Sequence, residues 1–231
     1  MEQASALQSK KPAFPSAWPA ILAVVLVLSF AGLVIISDHF WLPWMQEVFP
    51  NAVPNVWGLV SRGHMLLLGI LFFAVWRDPR RFGFQIGKTF SSWRLILILL
   101  VLNCGIVGAY LAFSGSTPYS GNQWLLTETV WVPLVEELIW RGVVFTLLLM
   151  GLQKFYTKRS SAILAILISG LVFGLLHGNN IFYGVPPAFV AIQVLNAAIW
   201  GVVYAFARAR TGSIYPPMLL HAAMNLMVVF F

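Results

Sequence analysis

The sequence predicts an all-α fold, a polytopic transmembrane helical bundle of about seven spans with its N-terminus inside and its C-terminus outside. Three observations carry this expectation. Of 231 residues, 60% are hydrophobic and only 9% are charged, far from the balance of a soluble domain. Apolar runs of about 20 residues recur along the chain, enough at the α-helical rise to cross a hydrocarbon core of about 30 Å. Lysine and arginine fall on alternate connections, as the positive-inside bias of cytoplasmic loops requires.

The runs occupy residues 18–37, 56–76, 92–113, 124–150, 160–177, 187–207 and 214–231. Lys10 and Lys11 precede the first, which is longer than the roughly 7 to 15 residues of a signal-peptide core and is followed by no small-x-small cleavage site. It reads as an uncleaved helix behind a cytoplasmic tail, residues 1–17. Asp38, His39 and Glu47 follow in an external connection where solvation suffices, and the aromatic-rich stretch 39–57 reads as an interfacial anchor. The second run contains Arg62 and His64, read as structural or snorkelling residues beside the core.

Arg77, Arg80, Arg81, Lys88 and Arg94 surround the next connection, which is therefore cytoplasmic. The third run holds Asn103, an interhelical hydrogen-bonder, and Cys104, the single cysteine, which excludes an internal disulfide and a cysteine-based metal cluster. Lys154, Lys158 and Arg159 follow the fourth run, and Arg208 and Arg210 follow the sixth. Twelve of the fourteen basic residues thus fall on one side, leaving only Arg62 and Arg141 inside runs. Pro186 and Pro187 mark the start of the sixth helix and Pro216 and Pro217 that of the seventh. Gln193 and Asn196 in the sixth read as interhelical hydrogen-bonders.

Seven tryptophans, at 18, 41, 44, 57, 76, 93 and 124, lie near run ends, where indole prefers the headgroup region. The net charge of +7 is the positive-inside bias in a chain with few acids and requires no nucleic-acid partner. Short connections leave no room for a soluble domain, so residues 18–231 read as one transmembrane domain with the candidate catalytic helices within 124–231. The expected location is a prokaryotic inner membrane, crossed several times.

Three polar patterns stand out against this apolar background. The fourth run carries Glu136, Glu137 and Arg141 as E-E-x-x-x-R. On an α-helix Glu137 and Arg141 share a face while Glu136 points about 100° away, so one carboxylate is paired and the other is available as a general base or acid. The fifth run carries Phe173 and His177 as F-x-x-x-H, next to Gly170 and Gly174, whose spacing offers a surface for close helix approach. Histidine suits proton transfer because its pKa lies close to neutrality. The seventh run carries His221 and Asn225 one turn apart as H-x-x-x-N, a pair able to donate hydrogen bonds to one developing oxyanion.

Ionised side chains at membrane depth persist mainly where they face a protein interior and have a function. Convergence of Glu136, His177, His221 and Asn225 from three helices points to a reaction centre more than to a set of structural fasteners, with donors placed as acyl chemistry needs. Two other readings are open. The same residue types permit zinc ligation by Glu136, His177 and His221, although H-E-x-x-H is absent and Asn225 would have no duty. Intramembrane ionisable groups also mark binding and transport pathways, although the two halves of the chain lack the paired repeats common in transporters.

The three motifs in order, ending in the block RTGSIYPPMLLHAAMN, resemble the CPBP family of CAAX proteases and bacteriocin-processing enzymes, over residues 124–231. The resemblance implies a glutamic intramembrane endopeptidase. Glu136 and His177 would activate the water, His221 and Asn225 would form the oxyanion hole, and Glu137, Arg141 and Phe173 would hold the site together. It implies no metal and no cofactor. The implied partners are the lipid bilayer and a peptide or protein substrate, prenylated or carrying a C-terminal sorting segment.

Overall fold

A computed structural model describes residues 18–48, 55–114 and 117–230, so the tail 1–17 with Lys10 and Lys11, and part of the aromatic stretch 39–57, lie outside the described residues. Each of the seven apolar runs is helical, and no strand occurs among the described residues. The helices are α1 (Trp18–Val48), α2 (Asn55–Trp76), α3 (Trp93–Ser114), α4 (Val132–Glu137), α5 (Phe145–Leu152), α6 (Lys158–Leu176), α7 (Pro187–Thr211) and α8 (Tyr215–Phe230). Their outer faces carry large apolar side chains open to the surroundings, among them Val75, Phe90, Phe113, Leu126 and Phe182, whereas Asn103, Glu137, Arg141 and His221 are buried. Apolar groups outside and charged groups inside describe a protein dissolved in lipid, and the chain is an integral membrane protein.

Among the described residues, three helical stretches meet the length and hydropathy needed to cross a membrane by themselves: Phe90–Phe113, Lys158–Phe182 and Pro187–Thr211. The fourth segment, residues 122–152, carries Glu128, Glu136, Glu137 and Arg141 and is interrupted by two π-helical stretches, Thr127–Trp131 and Leu138–Val144. Its C-terminal half is shielded by the others, with every residue from Val135 to Leu148 buried. Polar residues are tolerated here because neighbouring helices replace lipid on every side.

Helix ends follow local chemistry. Thr157, in extended conformation, caps α6 through its side chain, which accepts from the Ser160 amide. Pro187 opens α7, as expected from its preset φ and missing N–H. Gly212 closes α7 in the left-handed conformation at φ 73°, and its amide donates to the Arg208 carbonyl at 2.9 Å.

Two expectations are corrected. Residues 38–48, placed in an external loop with Asp38, His39 and Glu47, continue α1 to Val48, giving a helix of 31 residues and about 46 Å. A polar pair changes the surroundings a helix prefers but not its backbone hydrogen bonds, so a helix leaving the bilayer need not unwind. Arg208, read as a solvated loop charge, is buried in the last turn of α7. It donates to the carbonyls of Arg141 at 3.2 Å and Arg81 at 3.0 Å. The π-helical ladder shifts its bonds from the fourth to the fifth residue, and the guanidinium caps a carbonyl within that irregular stretch.

The closest helix pair is α6 with α7, and its sequence origin is the Gly170, Gly174 and Gly201 set. A Cβ added at Gly170 would lie 2.5 Å from the Val202 amide nitrogen, and one at Gly174 2.6 Å from the Ala198 amide nitrogen. Only glycine permits this backbone approach, which fixes the end of α6 that carries Phe173 and His177. Gly174→Leu is expected to destabilise the fold by about 1–3 kcal/mol through overpacking against backbone. Thermal unfolding in detergent micelles checks this, and an unchanged midpoint would contradict the packing.

Candidate active site

The polar patterns meet between α2, the fourth segment, α6 and α8. Its innermost part is a closed ionic knot. Arg141, fully buried, donates from Nη1 to Glu137 Oε1 at 3.1 Å and from Nη2 to the Gly201 carbonyl at 3.1 Å. Its guanidinium carbon stands 4.3 Å from the Phe173 ring centroid and 5.3 Å from that of Tyr204. The same Glu137 oxygen accepts from His221 Nδ1 at 2.9 Å. The expected Glu137–Arg141 pairing is therefore present, and Phe173 supports it as a ring platform.

His221 is also stacked on Tyr204, with centroids 5.4 Å apart, and edge-on to Phe173 at 6.0 Å. Tyr204 is held in turn by Asn103, whose amide lies 3.4 Å from its hydroxyl and donates to the Leu220 carbonyl at 2.8 Å. A carboxylate beside Nδ1 assigns the ring hydrogen to that nitrogen. In the neutral ring Nε2 then carries a lone pair, and it donates only when the ring is an imidazolium. The expectation that His221 donates to an oxyanion is thus restricted to its protonated form, a consequence of Glu137 occupying the other nitrogen.

His177 stands at the C-terminal end of α6. Its Nδ1 lies 2.9 Å from the Phe173 carbonyl, which can only accept, so the hydrogen is on Nδ1 and Nε2 presents a lone pair. The Phe173 ring packs against it with centroids 4.9 Å apart. Phe173 therefore touches His177, His221 and Arg141, linking all three. Glu136, on the fourth segment, interacts electrostatically with both His177 and His221.

Asn225 donates from Nδ2 to the backbone carbonyl of Glu128 at 2.9 Å. One of its two amide hydrogens is thereby used and the second is left for another acceptor. Asn180 and Gln193 pair at 2.7 Å beside the same end of α6, and Asn196 reaches Met224 Sδ at 3.7 Å, so the expected interhelical bonds of Gln193 and Asn196 are present.

The reading of Glu136 as the unpaired carboxylate is overturned. Arg62, from α2, donates from Nε at 3.2 Å and from Nη2 at 3.0 Å, both to Glu136 Oε1. The reason is tertiary: the partner lies 74 residues away on a helix whose register against the fourth segment no i,i+4 rule addresses. A charge count held the signal, since two arginines within apolar runs call for two carboxylate partners, and Arg141 can serve only one of Glu136 and Glu137. Glu136 Oε2 makes no hydrogen bond among the described residues, so one oxygen is fixed by Arg62 and the other remains available. The side chain of His64 lies outside the described residues.

Glu128 and Tyr119 were not anticipated either. Both lie in electrostatic range of Arg62 and Glu136, and Tyr119 also bonds Gln193. Among the described residues no three His, Cys, Asp or Glu side chains are arranged to hold a metal ion. The protein's own geometry instead spends Glu137 on Arg141 and His221.

Removing one member of the inner knot strands a charge at a fully buried position, which costs about 3–5 kcal/mol. Glu137→Ala and Arg141→Ala are expected to fail to accumulate as folded protein, while Glu136→Gln, beside the partly open Arg62, accumulates normally. Yield and monodispersity after detergent extraction check the contrast, and equal behaviour of all three variants would contradict it.

Residues 118–227 match the family model described as type II CAAX prenyl endopeptidase Rce1-like. No curated protein and no solved structure matches the chain.

Proposed function

Because residues 118–227 match the Rce1-like family model of type II CAAX prenyl endopeptidases, we propose that the protein is a membrane-embedded endopeptidase whose Glu136 and His177 activate a water. The observation that carries this reading is that Glu136 and His177 interact electrostatically while each is bonded elsewhere through one atom, Glu136 Oε1 to Arg62 and His177 Nδ1 to the Phe173 carbonyl. A water held between their remaining acceptors is oriented with its oxygen lone pair free to attack.

In this proposal the water gives a proton to the Glu136–His177 pair as its oxygen bonds to the scissile carbonyl carbon. The resulting oxyanion is met by the free amide hydrogen of Asn225 and by His221 once its Nε2 is protonated, donors held in place before reaction. The accepted proton then passes to the departing amine as the carbon–nitrogen bond breaks. Glu137 keeps His221 in one tautomer and Arg141 keeps Glu137 in place; neither needs to touch substrate. No step requires a metal.

The substrate we propose is a peptide or protein anchored at the bilayer, and the prenylated C-terminal segment that the family description names is the first class to test. The chain is proposed to cross the membrane several times. Its other candidate occupants, segments carrying a C-terminal sorting sequence, share the requirement for an extended backbone reaching lipid depth.

Glu136→Gln and His177→Ala are each expected to lower kcat by at least about a thousandfold while leaving the thermal midpoint within a few degrees of the parent. Purified protein acting on a farnesylated fluorogenic peptide, and the membrane-peptide profile of cells with and without active protein, supply the readouts. Retention of cleavage by Glu136→Gln would remove the mechanism.

Cleavage is also expected to persist after exhaustive chelation, because the proposed nucleophile is a water held by Glu136 and His177. Activity lost to a chelator and restored by stoichiometric zinc would instead make Glu136, His177 and His221 metal ligands.

A further inference from the structure

Glu137 fixes one atom of His221, and aromatic rings fix its plane. Glu137 Oε1 accepts from His221 Nδ1 at 2.9 Å, while the Tyr204 ring stacks on the imidazole with centroids 5.4 Å apart and planes 25° apart. The same Tyr204 ring lies 5.3 Å from the Arg141 guanidinium carbon, so it borders both the imidazole and the cation that holds Glu137. One hydrogen bond leaves a ring free to turn about the line of that bond, and a second ring stacked on its face removes this freedom. The imidazole plane in turn decides where Nε2 points.

Tyr204 is itself fixed from α3. Asn103, fully buried, donates from Nδ2 to the Tyr204 hydroxyl at 3.4 Å and to the carbonyl of Leu220, the residue before His221, at 2.8 Å. The Tyr204 hydroxyl donates onward to Met224 Sδ at 3.6 Å. A single carboxamide therefore holds both the ring on α7 that stacks on His221 and the turn of α8 that carries His221. Asn103 Oδ1 has no hydrogen-bond partner among the described residues, so this side chain is engaged through its donor. Asn103 also lies outside the segment 118–227 that matches the family model.

We propose that Asn103 and Tyr204 are positioning residues for the reaction, setting the plane of the His221 ring so that Nε2 meets the oxyanion as it forms. This rests on the endopeptidase reading above. Neither residue needs to touch substrate, and α3 is thereby part of the machinery although it precedes the matched segment.

The experiment compares Asn103→Leu, Tyr204→Phe and Tyr204→Leu in the full-length protein, with the farnesylated peptide as probe. Asn103→Leu, which keeps the branched shape and removes the donor, is expected to lower kcat about tenfold with KM within about threefold and the thermal midpoint within a few degrees of the parent. Tyr204→Phe, which keeps the ring, should lose about threefold, and Tyr204→Leu, which removes it, at least about thirtyfold. The double variant Asn103→Leu, Tyr204→Phe should be no slower than Asn103→Leu alone, because the hydroxyl acts through the amide. Asn103→Ala and Tyr204→Phe carry the test where the larger changes prevent folding. Wild-type kcat in either Asn103 variant, or a kcat that falls only in step with the midpoint, overturns the proposal. Nitrogen NMR of histidine-labelled protein gives a reading that needs no cleavage: the His221 ring signals, assigned by their loss in His221→Gln, are expected to shift or split in the Asn103 variants while those of His177 stay in place. Unchanged His221 signals overturn the proposal. If Glu136→Gln still cleaves, the endopeptidase mechanism fails and the His221 signals alone decide whether the ring is positioned, whereas loss of cleavage in Glu136→Gln with wild-type turnover in Asn103→Leu refutes only the positioning.

Discussion

The organising constraint is that a charge placed in lipid must find a protein partner, at a penalty of roughly 2.5–3.5 kcal/mol on insertion scales when it does not. Arg141 and Glu137, adjacent on one helix face, meet this demand locally. Their pairing alone would leave most of the carboxylate and guanidinium positions unsatisfied in an isolated helix, and the rest of the fold supplies further partners, although Glu137 Oε2 and Arg141 Nε stay without a hydrogen bond among the described residues. Gly201 supplies a carbonyl, His221 a ring nitrogen, and Phe173 and Tyr204 the aromatic walls. Four helical segments are thereby tied to one buried ion pair, which makes their relative register a condition of keeping the charges in the membrane.

The same constraint shapes the reactive side. Glu136 is bonded through Oε1 and His177 through Nδ1, which leaves Oε2 and Nε2 as their remaining acceptor atoms. Orientation is fixed by groups that do not themselves react, which is the arrangement a preorganised site requires. The π-helical stretches bear on this directly. They leave backbone carbonyls, those of Arg141 and Glu128, that Arg208 and Asn225 reach from other helices.

Legibility in the sequence divided along the distance between partners. The helical class, the seven runs and their approximate ends were readable because hydropathy and length report on lipid directly. Gly170 and Gly174 signalled a close helix contact, and α7 is where that contact falls. Glu137 with Arg141 was readable because one helical turn separates them. Glu136 was misassigned as unpaired because Arg62 reaches it across 74 residues. The continuation of α1 past Asp38 was missed because polarity marks a change of solvent and says nothing about the end of a helix.

By itself the sequence determined that the chain is helical, that it resides in a membrane, and that carboxylate, imidazole and carboxamide groups stand at fixed spacings within its apolar runs. These are properties of residue type and spacing, which the backbone period translates without knowledge of the fold. Which acid pairs with which base, which nitrogen of each histidine is left free, and which amide hydrogen of Asn225 is already spent were decided only by tertiary structure. Hydrogen bonds and ion pairs act over about 3 Å, and helix packing alone chooses the neighbours brought within that distance.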